Sequence, residues 1–391
     1  MVEWKKLWEL TAWDKKFTGI DKSMQKKIIK YYYYLAKDLN NLESPNGDIR
    51  ILYTTEKVAF ADRDTVEGNI SQGEVVAIPW GGNASVKYFK GEFVTADNRI
   101  ATSLDTNILS NKYLYYWLYS RKEELESYYR GAGIKHPSMY SVLMMDIPVI
   151  PLSEQQRIVE TLDTFTTSID NLKEQIAQRR KQYEHYRDQL LDLEGKEGVE
   201  MKTLEEVVSP DCSLSYGIVQ PGEDVKEGVP FVRPVDLIST YVKIDGLKRT
   251  ERQISESYKR TILKGNEILF CVRGTTGIMG LATNELRGCN VTRGIVPIAF
   301  EDEITKMFVF YQLKGFRLQK IIEEKTNGTA LRQINIKDLR LLNLNIPPLS
   351  EQSRIVSILD SFEASIANLE EQLALRQKQY EYYREKLLTF E

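Results

Sequence analysis

The chain has 391 residues, of which 42% are hydrophobic and 28% are charged, with a formal net charge of −3. This length accommodates two or three domains, and the composition is ordinary for a globular protein. No uninterrupted apolar run approaches the roughly 18 residues of a membrane span, and the charged first ten residues have no apolar signal core. The three cysteines have no paired spacing, which indicates a reducing cytoplasm and no disulfide framework.

The first globular segment, residues 1–150, opens with a basic and aromatic stretch. Apolar residues at helical spacing predict a helix over residues 21–39. Lys26, Lys27, Lys30 and the tyrosines of residues 31–34 lie in this helix, and basic and aromatic side chains suit nucleic acid. An equally good interpretation places the tyrosines half in the core and the lysines in solvent.

Short strands are predicted after this stretch, followed by one longer helix. A Pro-Asn-Gly-Asp turn at residues 45–48 precedes the first strand. The predicted strands cover residues 49–54, 74–79, 85–89 and 92–95, and the helix covers residues 113–129.

Residues 151–194 are predicted to form one long helix, because apolar residues recur at alternating steps of four and three. Ser153 is expected to cap the helix, and Gln156 to complete a capping box. About 40 helical residues span roughly 60 Å. The seam residues that we single out are Ile158, Leu162, Phe165, Ile169, Leu172 and Ile176.

A second copy of this helix, residues 348–391, follows at an offset of 197 residues, with 28 of 44 aligned positions identical. Its seam residues are Ile355, Leu359, Phe362, Ile366, Leu369 and Leu373. Both seams are interrupted by an arginine, Arg179 and Arg376. An in-register parallel pair would place these two charges in one buried layer at high cost, so we predict an antiparallel coiled coil.

The repeat extends into the globular segments. Residues 2–7 align with 199–204, and residues 131–151 align with 328–348, at the same offset of 197. Between these anchors the two sequences diverge. We therefore predict an α+β (mixed α/β) fold with a pseudo-two-fold internal repeat, in four parts. These parts are a first domain (1–150), a first helix (151–194), a second domain (195–347) and a second helix (348–391).

The sequence contains no convincing catalytic centre. His136 and His185 lie far apart and no Cys-x-x-Cys occurs, so no metal site is expected, and no phosphate-binding Gly-x-x-x-x-Gly-Lys motif is present. Asp211, Asp224 and Lys226 match a nuclease-like pattern, but a Pro-Gly pair interrupts the strand that the pattern needs. A DNA-cleaving enzyme using these three residues stays open as an alternative. A DNA-free coiled-coil scaffold is the other.

The repeated residues resemble a known family. Pro-Leu-Ser-Glu-Gln-x-Arg-Ile-Val begins at Pro151 and at Pro348, and Arg-x-Lys-Gln-Tyr-Glu-x-Tyr-Arg begins at Arg179 and at Arg376. With Gly-Asn-Glu-Ile-Leu-Phe-Cys-Val-Arg-Gly-Thr-Thr-Gly at residues 265–277, the chain resembles the specificity (S) subunit of type I restriction-modification enzymes over its whole length. It departs from the pattern in the first domain, where Trp80 stands in place of the arginine found at Arg273.

The resemblance implies a non-catalytic, DNA-binding subunit of a bacterial defence system. Each globular domain would be a target-recognition domain that reads one half of a bipartite, asymmetric double-stranded DNA site, with the coiled coil setting the spacer. The implied partners are two modification subunits, which bind S-adenosylmethionine and methylate adenine, and two restriction subunits, which use ATP and Mg²⁺. No cofactor is expected on this chain.

Polar residues beside glycines are the candidates for DNA contact, since base edges are read by polar side chains while phosphate contacts set the register. In the first domain they are Asn83, Lys87, Arg99, Lys135 and His136. In the second domain they are Arg273, Thr275, Thr276, Arg293, Arg332 and Gln333.

Overall fold

A computed structural model of the chain describes residues 2–66, 68–328 and 332–390. Met1 and Glu391, the outer ends of the predicted first domain and second helix, lie outside the described residues, as do residues 329–331 of the repeated segment 328–348. The chain divides into two compact units: unit 1 holds residues up to 172 and from 372 onward, and unit 2 holds residues 173–371. None of the described helices combines the length and apolar content that a bilayer span requires.

Unit 1 is built on short strands and helices. Its strands are β1 (Glu3–Lys6), β2 (Thr11–Trp13), β3 (Ile49–Leu52), β4 (Val58–Ala61), β5 (Ser71–Pro79), β6 (Lys87–Thr95), β7 (Asn98–Ser103), β8 (Tyr129–Arg130), β9 (His136–Pro137) and β10 (Asp146–Val149). Its helices are α1 (Leu7–Leu10), α2 (Ala36–Leu39), α3 (Asn111–Ser120), α4 (Lys122–Ser127), α5 (Met139–Leu143) and the first part of α6 (Leu152–Leu190).

Six of these strands form one sheet in the order β2-β7-β5-β6-β3-β4, in which only β3 and β6 run parallel. Helix α3 packs on this sheet through fully buried Tyr113, Leu114 and Trp117. Ser110 caps α3, because its side chain accepts a hydrogen bond from the Tyr113 N–H. One core cluster of unit 1 therefore lies between α3 and the sheet, while Val75, Ala77 and Phe93 of the sheet belong to another cluster.

The predicted helix over residues 21–39 is wrong. The stretch contains a short 3₁₀ turn, Lys22–Met24, and only four helical residues at α2. Between them it is extended and crosses the sheet: the Ile29 N–H donates to the Trp13 carbonyl and the Tyr34 N–H to the Thr95 carbonyl. Aromatic side chains favour extended backbone when a sheet is available to pack on, and this preference prevails over the helical spacing.

Two other local predictions need correction. The helix predicted over residues 113–129 begins at Asn111, ends at Ser120 and restarts as α4, because the backbone leaves the helical conformation at Arg121. The strands predicted over 85–89 and 92–95 are one strand, β6, which continues through Gly91 at a φ of 140°. A glycine can adopt this conformation inside a strand without ending it.

Unit 2 repeats the outer frame of unit 1 with a different interior. Its strands are β11 (Glu200–Thr203), β12 (Val229–Val232), β13 (Lys248–Thr250), β14 (Ile268–Cys271), β15 (Met279–Leu281), β16 (Asn290–Val291), β17 (Ile295–Ile298) and β18 (Asn343–Ile346). Its helices are the end of α6, then α7 (Leu204–Val207), α8 (Arg252–Ser257), α9 (Glu303–Lys314), α10 (Phe316–Lys325), α11 (Ile336–Arg340) and the start of α12 (Leu349–Leu387).

The frame matches residue for residue at the 197-residue offset. In unit 1, β1 pairs with β10 so that Glu3 faces Val149. In unit 2, β11 pairs with β18 so that Glu200 faces Ile346. The interiors differ, since unit 2 replaces the six-stranded sheet by two three-stranded sheets, β13-β12-β16 and β15-β14-β17.

Helices α6 and α12 each contain 39 residues and run antiparallel, as predicted. In unit 2, Arg180 of α6 pairs with Glu370 of α12 at 2.5 Å, whereas the later Tyr183 donates to the earlier Glu363 at 3.0 Å. Seam side chains are buried or half-buried along both helices, including Ile158, Leu162, Ile355 and Leu359, which are at most 2% exposed. The mixed α/β fold class with paired long helices is therefore confirmed.

The two seam arginines occupy matching positions in their separate units. In unit 2, the Arg179 guanidinium lies 5.9 Å from the centre of the Phe362 ring. In unit 1, Arg376 lies 5.7 Å from the centre of Phe165. Each charge is thus placed over an aromatic face, which attracts a cation. This arrangement accounts for a polar residue at the same seam position in both copies.

The predicted cap at Ser153 is wrong, because α6 already begins at Leu152. The Gln156 side chain bonds Glu160 instead of closing a capping box. The neighbouring Gln155 is fully buried and ties the start of α6 to the domain. Its amide donates to the carbonyls of Ile108 and Ile150 at 2.7 and 2.9 Å and accepts from the Ser110 N–H.

Candidate nucleic-acid interface

Unit 1 presents a polar surface where strand β5 ends. The loop after β5 meets the segment before β9, and the Gly82 N–H donates to the Lys135 carbonyl at 3.0 Å. The His136 Nδ1 lies 2.7 Å from the Trp80 carbonyl. Gly82 has a φ of 100°, which requires glycine, and a Cβ on Gly81 would lie 2.9 Å from the Ile134 side chain. We call residues 80–83 and 130–136 the first loop platform.

Unit 2 builds an equivalent surface after β14. The Gly274 N–H donates to the Arg332 carbonyl at 2.8 Å, and Arg273 pairs with Gln333 in a short bridge. The Thr276 hydroxyl also donates to the Arg332 carbonyl, at 3.3 Å. We call residues 273–277, 326–328 and 332–333 the second loop platform. Arg332 lies 197 residues after Lys135, so both platforms use the same part of the repeat.

The platforms collect most of the candidate DNA-contacting residues. The side chains that they hold are exposed or half-buried, and they belong to Asn83, Lys135 and His136 in unit 1 and to Arg273, Thr275, Thr276, Arg332 and Gln333 in unit 2. Their amide, hydroxyl, imidazole and guanidinium groups offer both hydrogen-bond donors and acceptors. Such a set can distinguish base edges in a DNA groove.

The other three candidates lie away from these surfaces. The Lys87 ammonium donates to the Tyr53 carbonyl, and burial lowers the pKa of Lys87 to about 8. Arg99 is buried in β7. Arg293 is half-buried, and its backbone N–H donates to the Ile218 carbonyl. Whether any candidate touches DNA stays a prediction, but Lys87 and Arg99 have their charged groups directed into the protein.

Trp80 and His136 of the first platform form a stack with the buried Arg99 side chain. The Arg99 guanidinium lies 4.0 Å from the centre of the Trp80 ring, and the Trp80 and His136 ring centres are 5.1 Å apart. Behind it, Asp14 lies 3.8 Å from Arg99 and accepts hydrogen bonds from the Tyr33 hydroxyl and the Ile100 N–H. Trp80 therefore does not supply the positive charge that Arg273 supplies in unit 2. Its ring packs against the buried Arg99 guanidinium instead.

The electrostatics of this stack are set by burial. Burial raises the pKa of the Asp14 carboxyl above its usual value, while Tyr33, Ile100 and Arg99 act to lower it. Burial likewise lowers the pKa of Arg99, and Asp14 opposes that effect. The pair is therefore costly to separate, since either charge alone would remain buried without compensation.

We predict that Arg99→Met destabilises unit 1 by about 3–5 kcal/mol near pH 7, because it leaves the Asp14 charge unpaired. A carboxyl whose folded pKa is raised contributes stability below its unfolded pKa and loses it as the pH rises through the folded pKa. The deficit should therefore shrink as the pH falls from 7 toward 4. Urea unfolding of both proteins across this range measures it.

Arg121→Met is the matched control, because Arg121 lies 4.5 Å from the Trp117 ring centre and is only half-buried. Its effect should depend little on pH. An Arg99→Met deficit that is constant with pH would show that Asp14 does not depend on Arg99 for its charge.

Unit 2 also has a cavity of about 670 Å³ beside its platform, which the sequence did not predict. Thr275, Thr276 and Arg332 line one side, and helix α10 supplies Phe316 and Lys320 on the other. Phe316 is 68% exposed although it is a large apolar residue. The only signal in the sequence is an aromatic residue at the start of a helix that alternates apolar and charged residues.

The nuclease-like residues do not form a site. Asp211 pairs with Lys264 at the surface, and Asp224 accepts a hydrogen bond from the Arg249 N–H. Asp211, Asp224 and Lys226 all lie outside the strands. Within the described residues, no group of three or more His, Cys, Asp or Glu side chains is placed to hold a metal ion. The geometry therefore gives no support to cleavage by this chain.

Comparison with known proteins identifies relatives of the whole chain. The model of the type I restriction modification DNA specificity domain matches residues 1–179 and again 197–376. The chain is 30% identical over 307 residues to the type I restriction enzyme EcoR124I/EcoR124II specificity subunit of Escherichia coli, covering 75% of this chain and 74% of that protein. It is 28% identical over 350 residues to a putative type I restriction enzyme specificity subunit of Haemophilus influenzae, covering 84% and 86%.

Solved structures share the fold. The crystal structure of the type I restriction-modification S subunit from M. genitalium superposes with a TM-score of 0.65 at 17% identity, covering 100% of this chain and 97% of that one. A structure described as the basis of complex assembly of the type I R-M system gives 0.56 at 16% identity, covering 99% and 97%.

Proposed function

The chain belongs to the type I restriction-modification DNA specificity family, and from that premise we propose that each of its two units reads one half of a bipartite, asymmetric DNA site. Members of this family recognise DNA sequence and are not themselves catalytic. The observation that carries the proposal is the pair of equivalent loop platforms, one in each unit, which share a backbone frame and differ in their side chains. A shared frame with different side chains is what two readers of different sequences require.

The side chains of the platforms suit direct reading of bases. An arginine can donate two hydrogen bonds to a guanine edge, and a glutamine can pair with adenine in the same two-point way. Arg273 and Gln333 face each other across the second platform and offer both kinds of group. In the first platform Asn83 and His136 take these roles. Lys135 and Arg332 are suited to either bases or phosphates.

We further propose that the paired helices set the spacer between the two half-sites. Each helix contains 39 residues, which corresponds to roughly 58 Å of helix. Both helices contribute residues to both units. A heptad seam of this length is a stiff spacer compared with a flexible linker.

The subunit is also proposed to dock catalytic partners. Two modification subunits would bring S-adenosylmethionine and methylate adenine, and two restriction subunits would bring ATP- and Mg²⁺-dependent cleavage. The exposed outer faces of α6 and α12 are available for such docking.

Methylation mapping tests the proposal directly. The chain is expressed together with its modification subunit in a host without other methyltransferases, and the modified adenines are mapped by sequencing. We expect one two-part site with a fixed unspecific spacer. A continuous site, or no site-specific methylation from an assembled complex, would contradict the proposal. A scaffold without DNA contacts would also show no salt-dependent DNA affinity.

We predict that Asp211→Ala leaves the sequence preference and the activity of the assembled complex within a few-fold of the wild type. Asp211 and its partner Lys264 are both largely exposed, so their ion pair contributes little to stability. The measurement is methylation and cleavage by the complex, with Lys264→Met as the matched control. Complete loss of cleavage by a folded Asp211→Ala complex would revive the nuclease alternative.

A further inference from the structure

Residues 15–35 of unit 1 form a strongly basic segment that we call the lysine strap, which contains the 3₁₀ turn Lys22–Met24 and is extended after it. It contains a single acidic residue, Asp21, whose carboxylate accepts a hydrogen bond from the Ser23 N–H. All of its lysines are exposed, namely Lys15, Lys16, Lys22, Lys26, Lys27 and Lys30. Resting on the proposed function, we propose that the lysine strap binds the DNA phosphate backbone beside the half-site that unit 1 reads, without regard to base sequence.

The strap is held by its apolar and aromatic residues, not by its lysines. The Tyr32 N–H donates to the Ser71 hydroxyl, and the Tyr34 hydroxyl donates to the Val66 carbonyl at 2.7 Å. Tyr31 packs against Phe93 with ring centres 5.5 Å apart. Tyr31, Tyr33 and Tyr34 are half-buried, whereas Tyr32 is 56% exposed, and the exposed lysines have no part in the core. The contacts of the tyrosines therefore fix the positions from which the lysines extend into solvent.

The charge of the strap is not neutralised inside unit 1. Among the described residues of this unit, the lysines in ion pairs within 4.0 Å are Lys5, Lys6, Lys57, Lys90, Lys112 and Lys135. None of these belongs to the strap. Six like charges within about twenty residues repel one another, and a polyanion relieves that repulsion.

The strap is connected to the first loop platform through the buried stack. Lys15 lies 4.5 Å from the centre of the Tyr33 ring, and the Tyr33 hydroxyl donates to Asp14 at 2.6 Å. Asp14 in turn faces Arg99, which lies under Trp80 and His136. Lys15 of the strap is therefore linked to the loops that are proposed to read bases by a chain of packed side chains. DNA seated on the platform would bring its backbone to the strap.

The segment of unit 2 at the corresponding position does not carry this charge. At the 197-residue offset the strap corresponds to residues 212–232, which contain one lysine, Lys226, and the acidic residues Glu223, Asp224 and Glu227. Both segments lie between the repeated anchors, where the two sequences diverge, and the charge of the strap is not retained in residues 212–232. This asymmetry favours a role specific to unit 1 over a general need of the fold for surface lysines.

The test uses the full chain assembled with its modification subunit, and two duplexes of about 30 bp, one carrying the mapped site and one of scrambled sequence. Affinity is measured over a series of salt concentrations for the wild type and for Lys26→Gln/Lys27→Gln/Lys30→Gln. Each lost phosphate contact lowers the slope of log affinity against log salt by about 0.9, so three contacts lower it by roughly 2.7. We expect this loss on both duplexes, with the methylated sequence unchanged.

The matched control is Lys5→Gln/Lys57→Gln/Lys90→Gln, which removes three lysines of unit 1 that are paired with Glu3, Glu43 and Glu74. Its salt slope should stay close to that of the wild type. Thermal unfolding of both triple variants shows whether unit 1 is folded, which is expected because the substituted lysines are exposed or half-buried.

Three results would overturn the inference. Equal slopes for the two triple variants would show that the strap does not bind phosphates. A changed methylated sequence would show that it reads bases, and weaker assembly with the modification subunit would show that its partner is a protein. A wild-type complex without any preference for the mapped duplex would instead refute the proposed function itself.

Discussion

A chain whose residues 1–150 are replaced by the equivalent segment of another family member should methylate a site with one new half and one unchanged half. The reason is that the first loop platform lies entirely within this segment, whereas the second lies within residues 273–333. A mismatched base pair typically costs about 1–3 kcal/mol of binding free energy, so three changed pairs weaken binding to the old half-site at least about 100-fold. Methylation mapping of the chimera identifies both halves.

The structure sets a condition on the donor segment. The domain part of unit 1 contacts its helices through the Tyr116 hydroxyl, which donates to Asp163 at 2.6 Å, and through Lys112, which pairs with the same carboxylate at 2.7 Å. Trp117 packs against Phe390 with ring centres 6.0 Å apart. A donor that keeps these three side chains should join the helices without leaving Asp163 unpaired. The reciprocal exchange of residues 199–347 is the control, and it should change only the other half-site.

If both halves of the site change in a folded chimera, the two units do not read DNA independently. If neither changes, the bases are read by residues outside the exchanged segment. The platform proposal fails in either case.

The long helices could be predicted because a heptad pattern over about 40 residues admits few other structures. The seam pattern also predicted that the helices run antiparallel, because a parallel pair would place the charges of Arg179 and Arg376 in the same buried layer. In the structure the two arginines lie over the rings of Phe362 and Phe165. The helix starts were predicted less well, because the serine looked like a cap, whereas Gln155 makes the bonds that fasten α6 to its domain.

Residues 21–39 show where local pattern fails. Their apolar spacing fits a helix, but the tyrosines pack on a sheet whose strands lie elsewhere in the sequence, from β2 to β6. A helix of this size gains little by itself, so tertiary packing decides. In the observed conformation all six lysines of the strap are exposed, so their charges are available to bind a polyanion.

The candidate residues show a similar limit. Polar type and a neighbouring glycine predicted residues that meet in the platforms, because loops after strands gather such residues. The same criteria could not tell that Arg99 is buried under Trp80 or that Lys87 bonds the Tyr53 carbonyl. Which way a polar side chain on a strand points depends on the register of the sheet, and one residue of shift reverses it.

Inserting seven residues into both long helices, after Gln175 and after Gln372, should keep both half-site sequences and lengthen the spacer between them. Both points lie within three residues of the positions where the chain passes between the two units, after Leu172 and after Glu371. Seven residues keep the seam in phase and add roughly 10 Å of helix. At roughly 3.4 Å per base pair this corresponds to about 3 bp. Insertion into one helix alone leaves the partner unmatched and should give weaker binding.

A two-residue insertion at the same points is the opposite control. It rotates the following helix by about 200°, since each residue turns the helix by roughly 100°. Seam residues such as Ile176 and Tyr183, each 8% exposed, would then face solvent, and binding should be lost.

Insertions of different lengths distinguish helices that set the spacing of the half-sites from helices that only join the two units. Two half-sites read from one side of a duplex lie about 10–10.5 bp apart, or a multiple of this. Seven added residues shift the spacing by about 3 bp, and this shift also rotates one half-site around the duplex. By contrast, 21 added residues add roughly 31 Å of helix, or about 9 bp, which is close to a full turn of the duplex. Activity should therefore be reduced in the 7-residue and 14-residue double insertions, which still read both half-site sequences, and should recover in the 21-residue double insertion, while the mapped spacer grows with each step. An active double-insertion complex that methylates a site with the original spacer would show that the helices do not set the distance.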